Sequence, residues 1–359
     1  MSEENPVDEP SPQVDEPPPP WAPVRLTGLP VAGGTFVPSP EDFRVIEEPL
    51  YEPCGTGEHL YVRFRKEGLT TRDVVTRAAR LFGLQDRDIG YAGLKDKFAT
   101  TEQTISIPRV PVAGAAGLDG DGVTVLDAIL HNNKLRTGHL RGNRFEMTIR
   151  GGDADAAERA TAILDALKTT GVPGFFGLQR FGKGGSNVRQ AFKVLKKGPR
   201  AAGSGWKARL VVSALQSAIF NDYLRSRIAD DTFLTVLEGD VLMKTDSGGR
   251  FVCEDPATDQ VRFDAFEVAI GGPIIGPKMT VAGAGSVPAE LETAVLSRAE
   301  LTIESFDKVR KLAQGTRRPL RVSLTDPTVT ADGPDAFVVA FGLPAGFYAT
   351  VVAAELLGY

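Results

Sequence analysis

A chain of 359 residues, 42% of them hydrophobic and 24% charged, is long enough for two domains and has the composition of an ordinary globular protein. No apolar run reaches the length of a membrane span, and the N-terminus lacks the basic-then-apolar layout of a secretory signal. Two cysteines (Cys54, Cys253) and three histidines form neither a disulfide framework nor a ligand cluster, so the expectation is a metal-free, cofactor-free protein of the reducing cytoplasm. The net charge of −5 hides an asymmetry: the first twenty residues carry six acids and no base, and without them 41 bases face 40 acids.

In chain order, residues 1–22 read as a disordered acidic, proline-rich tail, since they have too little apolar surface to offset the entropy of ordering. Gly33–Glu48 is extended and ends at Pro49, and His59–Phe64 alternates as a strand. Thr70–Phe82 opens on a Thr cap, places apolar residues at Val74, Val75, Ala78 and Leu81, and stops at Gly83, the pattern of an amphipathic helix. Strands are expected around 89–92, 103–107, 123–130 and 145–150, then a helix over 154–167. Gly171–Gly185 is glycine-rich and marks a boundary. Beyond it come a segment over 187–195, a long helix over 207–228, and a mixed, strand-like stretch over 229–285. Helices follow over 287–297 and 303–312, strands over 319–324 and 336–341, and a closing helix over 348–357. Strands with covering helices at both ends, and a different middle, make an α+β protein in which 23–170 and 319–359 form one domain and 171–318 is inserted.

The most informative stretch is Gly90–Gln103, Gly-Tyr-Ala-Gly-Leu-Lys-Asp-Lys-Phe-Ala-Thr-Thr-Glu-Gln. A short apolar run ends at Ala92, Gly93 permits a turn, and Thr104–Ile107 alternates like a returning strand. Asp96 is thus held on a loop between strands, flanked by Lys95 and Lys97, with Thr100, Thr101 and Gln103 at the exit. A carboxylate among cations and hydroxyls suits a nucleophile better than a proton donor.

The string resembles the signature of the TruD family of pseudouridine synthases, through Ala92, Gly93, Lys95, Asp96, Lys97, Ala99, Thr101 and Gln103. Further segments resemble other motifs of that family. They are Pro40-Glu41-Asp42-Phe43 with Val45 and Glu47, then Gly57-Glu58-His59; Lys134-Leu135-Arg136 with Gly138, Leu140, Gly142-Asn143 and Phe145; and Gly171–Gly182 with Gln179-Arg180-Phe181. Ser213 with Gln216-Ser217 and Ile219-Phe220-Asn221, and Leu343-Pro344-Ala345-Gly346 with Tyr348, Ala349, Thr350 and Glu355-Leu356, complete the set. The resemblance implies a pseudouridine-synthase catalytic sheet, mixed or antiparallel and carrying helices, with an inserted α+β domain particular to the family. It implies tRNA uridine-13 as substrate, flipped out and isomerised, with no cofactor, no membrane and no obligate protein partner. It implies Asp96 as the catalytic residue, and Phe43, Asn143, Phe145, Tyr348 and Lys95 as substrate contacts.

Charge supports an RNA partner independently. From His131 to Leu210, sixteen Lys and Arg face five Asp and Glu, a net of +11, interleaved with glycines and Phe145, Phe175, Phe176 and Phe181. Lys134, Arg136, Arg141 and Arg180 are the candidates for phosphate contacts. Asn143 has both a donor and an acceptor for a uracil edge. In one respect the chain departs from the resembling family: some members carry a lysine shortly before Pro-Glu-Asp-Phe, where this sequence has Val37. Arg44, Lys95 and Lys97 are the candidates to supply that cation. The alternative reading is a non-catalytic RNA-binding or RNA-folding protein on the same scaffold. A glycoside hydrolase would need a second positioned carboxylate, and none stands out.

Overall fold

The structure, a computed structural model, describes residues 19–358. Its strands are β1 (Phe43–Pro49), β2 (His59–Lys66), β3 (Gly90–Tyr91), β4 (Thr100–Pro108), β5 (Val123–His131), β6 (Leu140–Arg150) and β7 (Val172–Pro173). The second half adds β8 (Val241–Lys244), β9 (Arg250–Val252), β10 (Val268–Ile274), β11 (Thr316–Pro319), β12 (Arg321–Val322), β13 (Thr325–Ala331) and β14 (Ala336–Pro344). The α-helices are α1 (Thr71–Phe82), α2 (Ala156–Thr170), α3 (Ser186–Lys197), α4 (Gly205–Ala229), α5 (Pro256–Asp264), α6 (Val287–Arg298) and α7 (Ala349–Leu357).

The large sheet runs β13-β14-β6-β1-β4-β2-β5, with β3 also paired to β4. Its strands come from residues 43–150 and 325–344, while a four-stranded sheet, β11-β10-β8-β9, is built from residues 241–319. The large sheet is mixed: β1 and β4 are parallel and the other pairs antiparallel. β1 pairs with the start of β4 (Arg44 with Thr100), whereas β3 pairs further along it (Tyr91 with Ile105). The 92–99 loop therefore leaves β3 and returns to the first residue of β4 beside the start of β1. There Thr100 Oγ1 donates to the carbonyl of Pro40 at 2.7 Å.

Alternation along the strands divides the sheet into two faces. One carries Phe43, Val45, Phe145, Met147 and Ile149, all buried, and is covered by α1 and α2. α1 forms where the cap chemistry and the apolar spacing agree. Thr70 and Asp73 close a capping box, Gly83 ends the helix in the left-handed conformation, and Val74, Val75, Ala78 and Ala79 pack on Leu60, Val62, Phe64 and Ile105. The other face carries charge. Glu102 accepts from Arg44 at 2.6 Å, Arg63 at 3.0 Å and Arg65 at 3.1 Å.

One apolar core continues from the large sheet through Phe175, Phe176 and Phe181 into α3, α4 and the smaller sheet. Polar groups pin that junction: Asn221 on α4 bonds both backbone groups of Phe176 at 2.9 Å and the carbonyl of Trp21 at 2.8 Å. Glu355 on α7 accepts from the amides of Leu26 at 2.5 Å and Thr27 at 3.2 Å.

Several expectations change in detail. The tail expected over 1–22 falls mostly outside the described residues, but Trp21 packs on Phe181 with ring centroids 6.2 Å apart and Ala22 is buried, so the folded body begins before residue 23. The strand expected from 103 starts at Thr100. β13 goes unannounced in the sequence because its alternation is weak and Pro327 interrupts it. α5 lies inside the stretch read as strand-like, announced only by an Asp255 cap and Pro256. The helix expected over 303–312 is a 3₁₀ segment, Ile303–Val309.

Phe145 sits between Phe43 (centroids 6.2 Å, planes 9° apart) and Phe341 (5.6 Å) and is 6% exposed. Phe145→Ala is expected to cost about 3–5 kcal/mol of folding stability, the range for deleting a packed ring, as read from urea unfolding. A loss under about 1 kcal/mol would mean the ring carries no packing load.

Candidate active site

Loop 92–99 is held from below by a chain of buried polar groups. Gln103 Oε1 accepts from Thr71 Oγ1 at 3.0 Å, Gln103 Nε2 donates to Thr101 Oγ1 at 3.2 Å, and Thr71 Oγ1 accepts the backbone N–H of Lys95 at 2.9 Å. Thr71, Thr101 and Gln103 are all inaccessible to solvent or nearly so. The Thr and Gln of the signature therefore hold the loop to α1 rather than reach into a cleft.

Lys66, the last residue of β2, is the second support. It is fully buried, and its ammonium donates to the backbone carbonyl of Asp96 at 2.7 Å. Burial pulls its pKa down to about 8, against the attraction of Asp96 and Asp73. Asp96 itself is exposed on the loop. Its main chain is fixed by a cation beneath while its carboxylate faces outward.

Lys95 points the other way. Its Nζ meets Asn143 Oδ1 at 2.5 Å and Glu47 Oε2 at 3.4 Å, with both charged side chains almost fully buried. Burial lowers the Lys95 pKa and raises that of Glu47, and in each case the partner's charge opposes the shift. Glu47 Oε1 also accepts the Thr104 N–H at 3.3 Å. With its oxygen taken by Lys95, Asn143 keeps its amide N–H groups for a ligand carbonyl. The stacked pair Phe43 and Phe145 lies on the same strands, since Val45 pairs with Phe145 and Glu47 with Asn143.

Tyr348 enters from the C-terminal segment. β14 runs antiparallel to β6 with Leu343 opposite Asn143, and the Ala345 N–H donates to the Arg141 carbonyl at 3.1 Å. The turn after β14 therefore lies beside the end of β6 that carries Asn143. Tyr348 precedes α7, is 37% exposed, and its ring centroid is 6.3 Å from that of Phe176.

The structure thus brings Asp96, Lys95 and Asn143 together, sets Phe43 and Phe145 alongside them, and places Tyr348 at the next turn. The phosphate candidates scatter. Lys134 donates to the Arg87 carbonyl at 2.5 Å and shares an open hollow with Arg72, Arg87 and Arg136, next to β3. Arg141 is exposed at the start of β6. Arg180 lies over Phe176, the ring beside Tyr348, with its Nη2 donating to Ser213 Oγ at 2.5 Å.

Of the cations weighed for the place of Val37, Arg44 is excluded, because alternation puts it on the opposite sheet face, bound to Glu102 and Glu146. Lys97 is exposed, and Val37 itself is 66% exposed. Lys66, which sequence reasoning missed, is the cation bonded to the loop at Asp96. A lysine closing a strand reads as a solvent-facing end, and only the fold over it turns it inward.

The family model for tRNA pseudouridine synthase D (TruD) matches residues 23–202 and 207–356. This chain belongs to the TruD family. It is 42% identical over 341 residues to a tRNA pseudouridine synthase D of Anaeromyxobacter sp. (strain Fw109-5), covering 94% of this chain and 96% of the relative. With a tRNA pseudouridine synthase D of Thermus thermophilus it shares 41% identity over 336 residues, 93% of this chain and 92% of that one. The crystal structure of a candidate TruD protein from Methanosarcina mazei superposes with a TM-score of 0.75 at 22% identity, over 95% of this chain and 97% of that one, a likeness of fold. The TruD signature residues here divide into two groups. Thr101, Gln103, Asn221 and Glu355 tie the framework, and Lys95, Asp96, Asn143 and Tyr348 gather at one end of the sheet.

Lys66 supplies a pH test. Its folded-state pKa of about 8 lies below the ordinary lysine value, so between those two the unfolded chain binds more protons and stability rises with pH. Lys66→Met is expected to remove that rise above pH 8 in urea titrations at stepped pH, and to lower turnover at least about tenfold by freeing the loop. A variant with the same pH profile as the parent would show that Lys66 is not held in a buried, depressed state.

Proposed function

We propose that this chain is a tRNA pseudouridine synthase that isomerises uridine 13 of tRNA, with Asp96 as its catalytic residue. Membership of the TruD family supports the activity. The juxtaposition of Asp96, Lys95 and Asn143 beside the stacked Phe43 and Phe145 is the observation that carries the site. Among the described residues no helix is long and apolar enough to cross a membrane. A tRNA substrate fits a cytoplasmic location.

The reaction breaks the N1–C1′ bond, turns the uracil, and joins C1′ to C5. C5 gives up a proton and N1 gains one, so atoms balance without a redox partner or external energy. A stacked base cannot turn, so the nucleotide must first leave the helix at a cost of a few kcal/mol. Stacking on Tyr348 recovers about 1–3 kcal/mol, whereas Phe145, covered by Phe43 and Phe341, backs the pocket from within the core. Asn143 donates to a uracil carbonyl. Lys95, held by Glu47, fixes the Asn143 amide and places positive charge next to Asp96. The Asp96 carboxylate, facing the opening, reaches the sugar–base junction.

Phosphates meet the basic surface. From Arg180 to Leu210 there are nine Lys and Arg and no acid, and Lys183, Arg189, Lys193, Lys196, Lys197 and Arg200 are exposed on and around α3.

Asp96→Asn is expected to abolish pseudouridine formation in a tRNA transcript, scored by carbodiimide mapping at position 13, while tRNA affinity stays within a few-fold. Single-turnover product from the variant would remove Asp96 from the chemistry. The double variant Lys196→Gln/Lys197→Gln is expected to flatten the salt dependence of tRNA binding by roughly one unit of log–log slope per lost phosphate contact. An unchanged slope would make that face a solvated surface, with RNA held elsewhere.

A further inference from the structure

The three buried arginines are held by protein groups, although the Nε of Arg321 has no partner among the described residues. Arg227 bonds Asp240 at 2.9 Å, and Arg317 bonds Glu292 at 2.5 Å. Arg321 lies over the rings of Phe263 and Phe266 and donates to the carbonyls of Thr170 and Phe263. Arg180 and Arg318, both half-buried, share with Arg321 the lack of a carboxylate but differ from it in lying next to each other. Among the described residues neither has a carboxylate within 4.0 Å.

Both guanidinium groups lie over the ring of Phe176, Arg318 at 4.2 Å and Arg180 at 5.6 Å from its centroid. Arg318 also lies 4.2 Å from the Phe347 centroid and donates to the carbonyls of Gly174 and Gly346, each at 3.0 Å. Its Nη1 makes no hydrogen bond among the described residues. Arg180 uses Nη2 on Ser213, and its buried Nε has no partner there. Burial pulls Arg318 down to about 10, and the charge of Arg180 pushes the same way, while only Tyr348 opposes.

An arginine does not escape such a setting by losing its proton. Two like charges brought together, partly desolvated and left without a counter-ion, are unfavourable until an anion arrives. Among the described residues the Nη1 of each guanidinium is an unused donor that is not buried, and the two together are a fork suited to a phosphodiester. Gly346 and Tyr348 lie on the turn after β14, whose Leu343 pairs with Asn143, so the fork stands one turn away from the Lys95–Asn143 contact.

We propose that Arg180 and Arg318, set about the ring of Phe176, jointly hold one backbone phosphate of the RNA next to the nucleotide being isomerised. The proposal rests on the reading of this site as the RNA-modifying one. It predicts non-additivity, because the salt slope counts phosphates and not arginines.

The test measures binding of an unmodified tRNA transcript to the full chain over a salt series, for Arg180→Met, Arg318→Met and the double variant. Each single variant is expected to lose roughly one unit of log–log slope and at least about tenfold in kcat/KM, and the double variant no further slope. Arg318→Lys keeps the charge but not the fork, and should keep the slope while losing turnover. Thermal unfolding separates a framework role: folded variants with the parental slope overturn the proposal, as does a double variant that loses two units. Should Arg318→Met fail to fold, Arg180→Met decides, since its one side-chain bond is to a hydroxyl. Arginine-dependent slopes with no pseudouridine formed by the parent chain would overturn the proposed function and leave the phosphate pair standing.

Discussion

The loop that presents Asp96 depends on one buried ammonium. Among the described residues Lys66 has no carboxylate within bonding distance, and it is satisfied through the main-chain carbonyl of Asp96. Freeing that carbonyl would strand a desolvated cation, so the loop is held where Lys66 needs it. Thr71 adds a second constraint one residue earlier, at the Lys95 N–H, and takes its orientation from Gln103. A short loop fixed at two successive residues from below can hold a carboxylate in one place without bonding the carboxylate itself, which leaves its oxygens for chemistry.

The same arrangement recurs around Lys95. Burial disfavours its charge and that of Glu47, and the two charges stabilise each other. The pair contributes little to stability, for desolvation cancels most of the attraction. Its role is orientation: it holds the Asn143 amide with the oxygen inward and the N–H groups outward. Further along, Arg180 and Arg318 keep their donors open. The arginines thus fall into two groups. Arg227, Arg317 and Arg321 close the framework, whereas Arg180 and Arg318 share the ring of Phe176 and keep donors open.

Much of this was legible in the residues. The Thr70 cap, the apolar spacing to Leu81 and the stop at Gly83 specify α1 by themselves, because helix ends are local chemistry. Gly93 and the flanking strands allow a turn at Asp96, and the resemblance of the surrounding string to the TruD signature singled that carboxylate out. The segments that misled were those where local and tertiary signals part. α5 looked mixed because its buried face is narrow, with only Asp259 and Phe263 inside. β13 looked like a loop because as an edge strand it buries no residue fully. Thr101 and Gln103 read only as polar residues lining the exit of the Asp96 loop, because alternation does not say whether such side chains point up or down.

By itself, then, the sequence determined the periodic elements, the turn that carries Asp96, the concentration of positive charge between His131 and Leu210, and the family. The family follows from the resemblance of its motifs, and the rest from spacing, capping and composition, which act over a few residues. Tertiary structure decided which face each strand residue took, and with it every partner. One-residue alternation sends Arg44 to Glu102 on the far side of the sheet while Phe43, Val45 and Glu47 line the near side. Lys66 becomes an interior cation only because the loop closes over the end of β2. Arg180 and Arg318, 138 positions apart in the chain, share one ring only because the core of the large sheet runs on through Phe176. A buried charge is defined by what covers it, and the covering comes from residues far away along the chain.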